Sequence, residues 1–506
     1  KAVDRRTADY GRTLRMFGEL RSSGNLKEID NFIAEHGGRS GTEERARQFL
    51  ALPTTESKAR TARAAFGMGA VKDIWLSTWI NGLLSSPITH AKNIAGNAMF
   101  GAMQPVERAM MSIVGKVRNG VFGSDDAIRM SAVVDQAQGY FGSIVDAGRL
   151  AGKAFVKNQG MDEASKMELD KFARRNEFDV DFGDSTIGKA TSDMLRLYGK
   201  FVTLPGRTLL AEDEFFKGVA YVGEFRFLTK QKAEVFYSAR LKEGIDKETA
   251  KKLTSDYLAE IRTNPTDDIL TASTERAKEM TFTKELTGTM ADIQRGINSG
   301  KLSPILKMFF PFVRTPTNLV IEAGKRSPLQ LINPGFYRTV AKGGVEADAA
   351  IAKMTLGTTM MGGAAYYALQ GQLTGAGPTN RQLRKTLEAT GWQPYSYVYN
   401  KSDLSEDQIK DFMDKTPVSV GEDKVYVSYQ GLQPISTLIG VSATIAEYFT
   451  YNSYANTAEQ TTAEELDKIV QAAGLGVYDF VGQLPMLQGY SEFTDILAGD
   501  PMSSAA

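Results

Sequence analysis

From Met354 to Asn380 the chain reads MTLGTTMMGGAAYYALQGQLTGAGPTN, 27 positions without a charged side chain. A solvated helix keeps charged and polar residues on its outer face, so such a run is either sheathed by protein or placed against lipid. About 20 helical residues at roughly 1.5 Å each cross the roughly 30 Å hydrocarbon core of a bilayer. Lys353 precedes the run and Arg381, Arg384 and Lys385 follow it, where they are candidates for lipid headgroup or phosphate contact. Ala364 and Ala368 stand four apart, which permits close helix approach in lipid. Met360, Met361, Tyr366, Tyr367 and Leu369 are its candidate membrane contacts. Thr, Gln and six glycines dilute the run below a leucine-rich span, and a buried helical hairpin is the alternative.

A second apolar block, Ile74 to Val106, holds one formal charge, Lys92. Trp75, Trp79 and Leu83 share a helical face there and complete the membrane-contacting candidates. Ser85-Ser86-Pro87 ends that helix and offers an N-cap and first position for the next, which predicts a helical hairpin. The rest of the pattern predicts a mainly α, elongated, multi-domain protein. Its expected parts are a charged helical region (1–73), the apolar hairpin and a helical domain (74–200), and long amphipathic helices broken near Gly244 (201–300). A Pro-kinked segment with the candidate membrane helix (301–400) follows, because Pro304, Pro311, Pro316 and Pro328 forbid one straight helix. Last comes a small β-hairpin near 395–430, turning at Gly421-Glu422-Asp423, followed by acidic C-terminal helices (401–506).

Composition removes much chemistry. There is no cysteine and there are only two histidines, His36 and His90, which excludes thiolate sites, Cys nucleophiles and most zinc sites. Net charge is zero, but segmental: +4 over 1–73, 0 over 74–299, +8 over 300–401 and −12 over 402–506. A protein that coats DNA carries a sustained basic excess, which is missing here. Gly183-Asp-Ser-Thr-Ile-Gly188-Lys189 fills seven positions of a phosphate-binding loop. Ala190 stands where Ser or Thr should hold magnesium, and Asp184 puts a negative charge in the cradle, so an ordinary loop is expected. Asp179-Val-Asp181 starts like a calcium loop but has Asp184 where glycine is needed. Glu212-Asp213-Glu214 cannot converge on one substrate atom, since consecutive helical residues point about 100° apart, and a solvated or capping face is expected. His90 is expected to be a hydrogen-bonded structural residue, and Lys58, Arg60 and Arg63 a solubilising stripe. Lys1 is not preceded by methionine and no apolar signal follows, so a portion of a longer product is expected.

Four stretches carry a resemblance: LSSPITHAKNIAGN (84–97), LPGRTLLAEDEFFKGVAYVGEF (204–225), FFPFVRTPTNL (309–319) and LTGAGPTNRQLRKTLEATGWQPYS (373–396). In this order they resemble internal virion, or DNA-ejection, proteins of short-tailed bacteriophages, among the large polyvalent phage proteins. Gly391-Trp392-Gln393-Pro394-Tyr395-Ser396 is the most specific part. The resemblance implies a protein held in the virion interior and then released to the host cell envelope, where it helps form a conduit for genome delivery. It also implies partners: other ejection or core proteins, further copies of the chain, host membrane lipid, and double-stranded DNA passing without sequence-specific binding. No cofactor and no catalytic residue come with it. A capsid-core or tail component that never meets lipid is the alternative, and a nucleotide-binding enzyme using Lys189 a weaker one.

Overall fold

A computed structural model describes residues 67–123, 125–157, 178, 186–298, 313–378 and 381–452. Most of the charged region 1–73, the acidic tail helices, Pro304, Pro311, the loop 179–185, and His36, Lys58, Arg60 and Arg63 lie outside the described residues. The described chain is mainly α. Its first helices are α1 (Gly67–Leu84), α2 (Pro87–Phe122), α3 (Met130–Gly142), α4 (Ile144–Lys157), α5 (Thr186–Val202) and α6 (Leu204–Lys242). There follow α7 (Lys247–Thr263), α8 (Asp267–Met280), α9 (Thr289–Asn298), α10 (Arg314–Lys325), α11 (Pro334–Lys342), α12 (Gly344–Leu369) and α13 (Arg381–Ala389). Strand β1 (Ser396–Asn400), α14 (Glu406–Lys415), β2 (Val418–Val420), β3 (Lys424–Ser428) and α15 (Ile435–Asn452) complete it.

Local chemistry accounts for the boundaries. Gly244, at φ +85°, stops α6, and Asp246 then accepts bonds from the Glu248 and Thr249 amides to start α7. Ser405 and Gln408 form a capping box at α14. The break at Ser85-Ser86 falls where the sequence predicts, with Pro87 first in α2, although the Ser86 side chain makes no capping bond. The second half of the expected hairpin does not end near Val106: α2 runs through Pro105 to a left-handed Gly123.

Two compact units share the chain, one from Lys1–Ser85 and Leu169–Thr208, the other from Ser86–Glu168 and Leu209–Ala506. In the larger unit α12 packs on α2 and α15. Three apolar clusters lie along these helices, around Phe100 and Phe216, around Ile128 and Phe227, and around Tyr395 and Tyr429. The sheet has order β1-β3-β2, antiparallel throughout, with Ser396 opposite Ser428 and Val420 opposite Val425. The β2–β3 pair turns at Gly421-Glu422-Asp423 as expected, and β1 adds a third strand. The Gly391–Ser396 stretch is a tertiary clasp. Gly391 takes φ +88°, and a side chain on it would fall 2.6 Å from Gly421 Cα. Trp392 lies over Gly377, and the buried Tyr429 hydroxyl donates to the Thr374 carbonyl at 2.7 Å.

Eight charges, five buried and three half-buried, form a ring through the larger unit. Arg326, after α10, pairs with Glu107 of α2 at 2.5 Å and with Glu322 of α10 at 2.6 Å. Lys353 of α12 bridges Glu322 at 4.0 Å and Glu279 of α8 at 3.4 Å. Arg276 pairs with Glu279 at 2.7 Å and reaches Glu224 of α6 at 3.7 Å, and Arg108 of α2 pairs with Glu224 at 2.5 Å. Four cations and four carboxylates thus join five helices. Burial alone would raise Glu279, yet Arg276 and Lys353 hold it well below the usual carboxylate range. Burial lowers Lys353 despite its two carboxylates. Outside the ring, Arg118 ties the fully buried Asp348 of α12 to Asp126, and Asp135 takes both Arg226 and Arg262.

This placement accounts for the charge-free run. Gly357 of α12 lies against the Arg326 carbonyl, Ala364 and Ala368 sit in a cluster with Ala443 and Ala446 of α15, and Ser442 donates to the Met361 carbonyl at 2.5 Å. No helix among the described residues is long and apolar enough to cross a membrane. One face of α12 is covered in this way, while Thr355, Thr359, Gly362, Gly363, Tyr366 and Tyr367 stay exposed. Replacing Arg326 by Leu would strand Glu107 and Glu322 in the core. Loss of one partner of such a buried pair costs about 3–5 kcal/mol, so urea unfolding of Arg326→Leu should show a fall of that size. Gly357→Ala should also lower the unfolding midpoint, because its methyl group must displace the Arg326 backbone.

Candidate functional site

The smaller unit turns its helices inside out. On α5 the buried positions are Gly188, Ser192 and Gly199, followed by Thr203. Ile187, Met194, Leu197, Tyr198 and Phe201 point outward, with Ile187 80%, Met194 70% and Phe201 64% exposed. Their spacing of three, four and seven gathers them within about a third of the helix circumference. Small inward residues let neighbours come close: a side chain on Gly199 would fall 2.5 Å from Phe178. Helix α1 follows the same plan, burying Ser77 and Asn81 with Ile80 and Leu84 while Trp75 and Trp79 are 47% and 38% exposed. Asn81 accepts from the Gly206 amide at 3.0 Å and donates to the Ser77 carbonyl at 2.8 Å, while the buried Ser77 hydroxyl makes no hydrogen bond among the described residues.

The two outward faces adjoin. Tyr198 and Thr78 hydroxyls lie 3.4 Å apart, which sets the α5 face beside the face of α1 that bears the tryptophans. Trp75 and Trp79 stack with centroids 6.0 Å apart, at the edge of a shallow groove that also includes Thr78, Gly82 and Leu83. The charged residues of α5, three cations (Lys189, Arg196, Lys200) against Asp193, stand on the side away from this apolar face. Leaving a large apolar side chain in water forgoes roughly 1.5–3 kcal/mol each, so a face of seven such residues favours a covering partner.

The other sequence candidates separate. Met360 and Met361 are half-buried, Met360 against the cluster of Phe100 and Phe216. Tyr366, Tyr367 and Leu369 are exposed at the end of α12, and Leu83 is half-buried. Lys353 is engaged in the ion ring and does not face solvent as a headgroup contact would. Arg384 pairs with Glu388 at 3.1 Å, Lys385 is exposed, and the Arg381 side chain lies outside the described residues. Thr186 to Lys189 form the first turn of α5, with Gly188 buried and Lys189 exposed.

The acidic triplet corrects an expectation. Glu212, Asp213 and Glu214 are not a solvated face of α6. Asp213 and Glu214 are buried, and Glu214 pairs with Lys217 at 2.9 Å. Glu212 accepts from His90 Nδ1 at 2.8 Å and from Asn93 Nδ2 at 2.9 Å. His90 is therefore hydrogen-bonded, as expected, to a carboxylate 122 residues away that local spacing could not reveal. Burial pushes the Asp213 carboxyl up to about 7; Lys217 opposes this, while Glu212 and Glu214 add to it. Glu447, buried on α15, also rises to about 7, although the Gly375 and Gly377 amides pull it down. Among the described residues no group of three or more His, Asp or Glu is placed to hold a metal ion. Comparison with protein-family models, with curated proteins and with solved structures finds no match to this chain.

A carboxyl whose folded value lies above its unfolded value of about 4 binds its proton more tightly in the folded state. The associated stability is complete below about pH 4 and is lost as pH rises to about 7. Thermal unfolding midpoints should therefore fall over that window. Asp213→Asn or Glu447→Gln should each flatten the fall, and a slope unchanged in both variants would refute the assignment.

Proposed function

We propose that this chain is a segment of a phage internal virion, or ejection, protein that helps form a conduit across the host cell envelope for genome delivery. The observation that carries this reading is the outward apolar face of α1 and α5, with Trp75, Trp79, Met194 and Phe201 exposed while Gly188, Ser192, Gly199 and Asn81 lie inside. Aromatic and aliphatic side chains gathered on one uncharged face suit contact with a membrane interface or with neighbouring helices of an assembly. The zero net charge supports the same reading, because a path that held phosphates tightly would retain the DNA it must let slide. The four stretches resembling ejection proteins point the same way.

On this reading lipid is met by the α1–α5 face and by Tyr366, Tyr367 and Leu369, while the rest of α12 holds the larger unit together. The partners are other ejection or core proteins and further copies of the chain, and the protein passes from virion interior to host envelope. A capsid-core or tail component without lipid contact is the second reading, favoured by the anchoring of α12 through Asp348 and Lys353. Vesicles of phosphatidylethanolamine and phosphatidylglycerol, loaded with a self-quenched dye, separate the two. The full chain should bind and make them leak, and Met194→Asp combined with Phe201→Asp should abolish both effects while leaving the circular dichroism melt unchanged. A wild-type chain that stays in the aqueous phase across pH and salt would sink the membrane reading.

A further inference from the structure

A crevice in the larger unit opens beside the first turns of α2. One stripe of that helix, Thr89, Lys92, Asn93, Gly96 and Asn97, forms one wall; Phe282, Thr315, Pro316 and Leu319 face it, and the Gln430–Gln433 loop closes an end. The crevice is open to solvent and its cavity volume is about 70 Å³. The loop sits tightly on the helix, since a side chain on Gly96 would meet the Gly431 and Gln433 carbonyls at 3.3 Å. Gly96 thus allows the loop its close approach to the helix.

The polar groups of this crevice have spare capacity. Asn97 Nδ2 donates to Asn93 Oδ1 at 3.2 Å, and Asn93 Nδ2 is spent on Glu212. The Lys92 ammonium and the Thr89 and Thr315 hydroxyls have no hydrogen-bond or ion-pair partner among the described residues. Burial pulls Lys92 below its usual value, and no carboxylate offsets it. A half-buried ammonium without a counter-ion is costly, and its cost is relieved by an anion that accepts its protons. Two hydroxyl donors lining the same crevice fit a group with several acceptor oxygens, and Phe282 and Leu319 fit an apolar portion attached to that group.

We propose that this crevice is a binding site for an oxyanion, a phosphate or carboxylate group carried on an apolar body, with Lys92 as its counter-ion and Thr89 and Thr315 as hydroxyl donors. The site is distinct from the outward face of α1 and α5, and it can fail or stand without affecting that reading. The ligand group is recognised by charge and three donors, and the apolar wall selects against a fully hydrated ion.

The test uses the full chain, labelled briefly with acetic anhydride and read lysine by lysine by mass spectrometry, with dihexanoyl phosphatidic acid below its micelle concentration or with inorganic phosphate. Dihexanoyl phosphatidic acid should protect Lys92 several-fold while exposed Lys385 reacts as before. Lys92→Gln should weaken binding of the same probe, followed by phosphorus NMR, by about tenfold or more, the usual consequence of removing a charge-assisted hydrogen bond. Because Lys92 gives up no internal partner, that variant should unfold at the wild-type temperature without ligand, and Thr315→Val should weaken binding less. Equal protection by inorganic phosphate would overturn the role given to the apolar wall, since a fully hydrated ion would then bind as well as one carried on an apolar body. Unchanged Lys92 labelling with both probes at millimolar concentration, or undiminished affinity in Lys92→Gln, would overturn the proposal.

Discussion

The larger unit depends on its closed ring of charges. Glu107 and Arg108 are neighbours on α2, and the ring leaves one and returns to the other through Arg326, Glu322, Lys353, Glu279, Arg276 and Glu224. Removing such groups from water costs several kcal/mol per ion, and the cost is recovered only where every partner is in place. The arrangement therefore contributes more to the register of α2, α6, α8, α10 and α12 than to net stability. A helix shifted by one turn would leave unpaired charge in the core. Arg326 also stacks on Phe100 at 4.8 Å and Arg108 on Phe227 at 3.6 Å, so the ring is keyed to the apolar clusters beside it.

The smaller unit uses the opposite economy of side chains. Gly188, Ser192 and Gly199 face inward because close backbone approach needs small residues, and Asn81 satisfies the Gly206 amide there. Ile80, Leu84 and Phe178 are the large side chains found inside, while those of α5 line the outer face. A chain that joins a well-keyed core to an inverted helical plate has one part fitted for persistence and another fitted for contact.

Helical periodicity made the fold class legible from the sequence: the break near Gly244, the Ser85–Pro87 boundary and the turn at Gly421 all rest on local backbone preferences. Trp75 and Trp79 were legible as sharing one helical face with Leu83, because positions four apart lie one above the other. The α5 face was less so, since its apolar spacing reads the same whether it points in or out. Burial was the missing information, and inward glycines at Gly188 and Gly199 were the only local hint.

The sequence by itself determined that this chain is mainly helical, free of cysteine chemistry, and in need of cover for the run at Met354 to Asn380, because secondary structure and the aversion of apolar runs to water are short-range properties. Only the tertiary structure decided that α15 and α2 cover one face of the helix in that run, and that Glu212, Asp213, Lys353 and Arg326 lie largely inside. Those assignments join residues more than a hundred positions apart, such as His90 with Glu212 and Arg326 with Glu107. No local pattern encodes such pairs, whose electrostatic cost or benefit exists only once the helices have met.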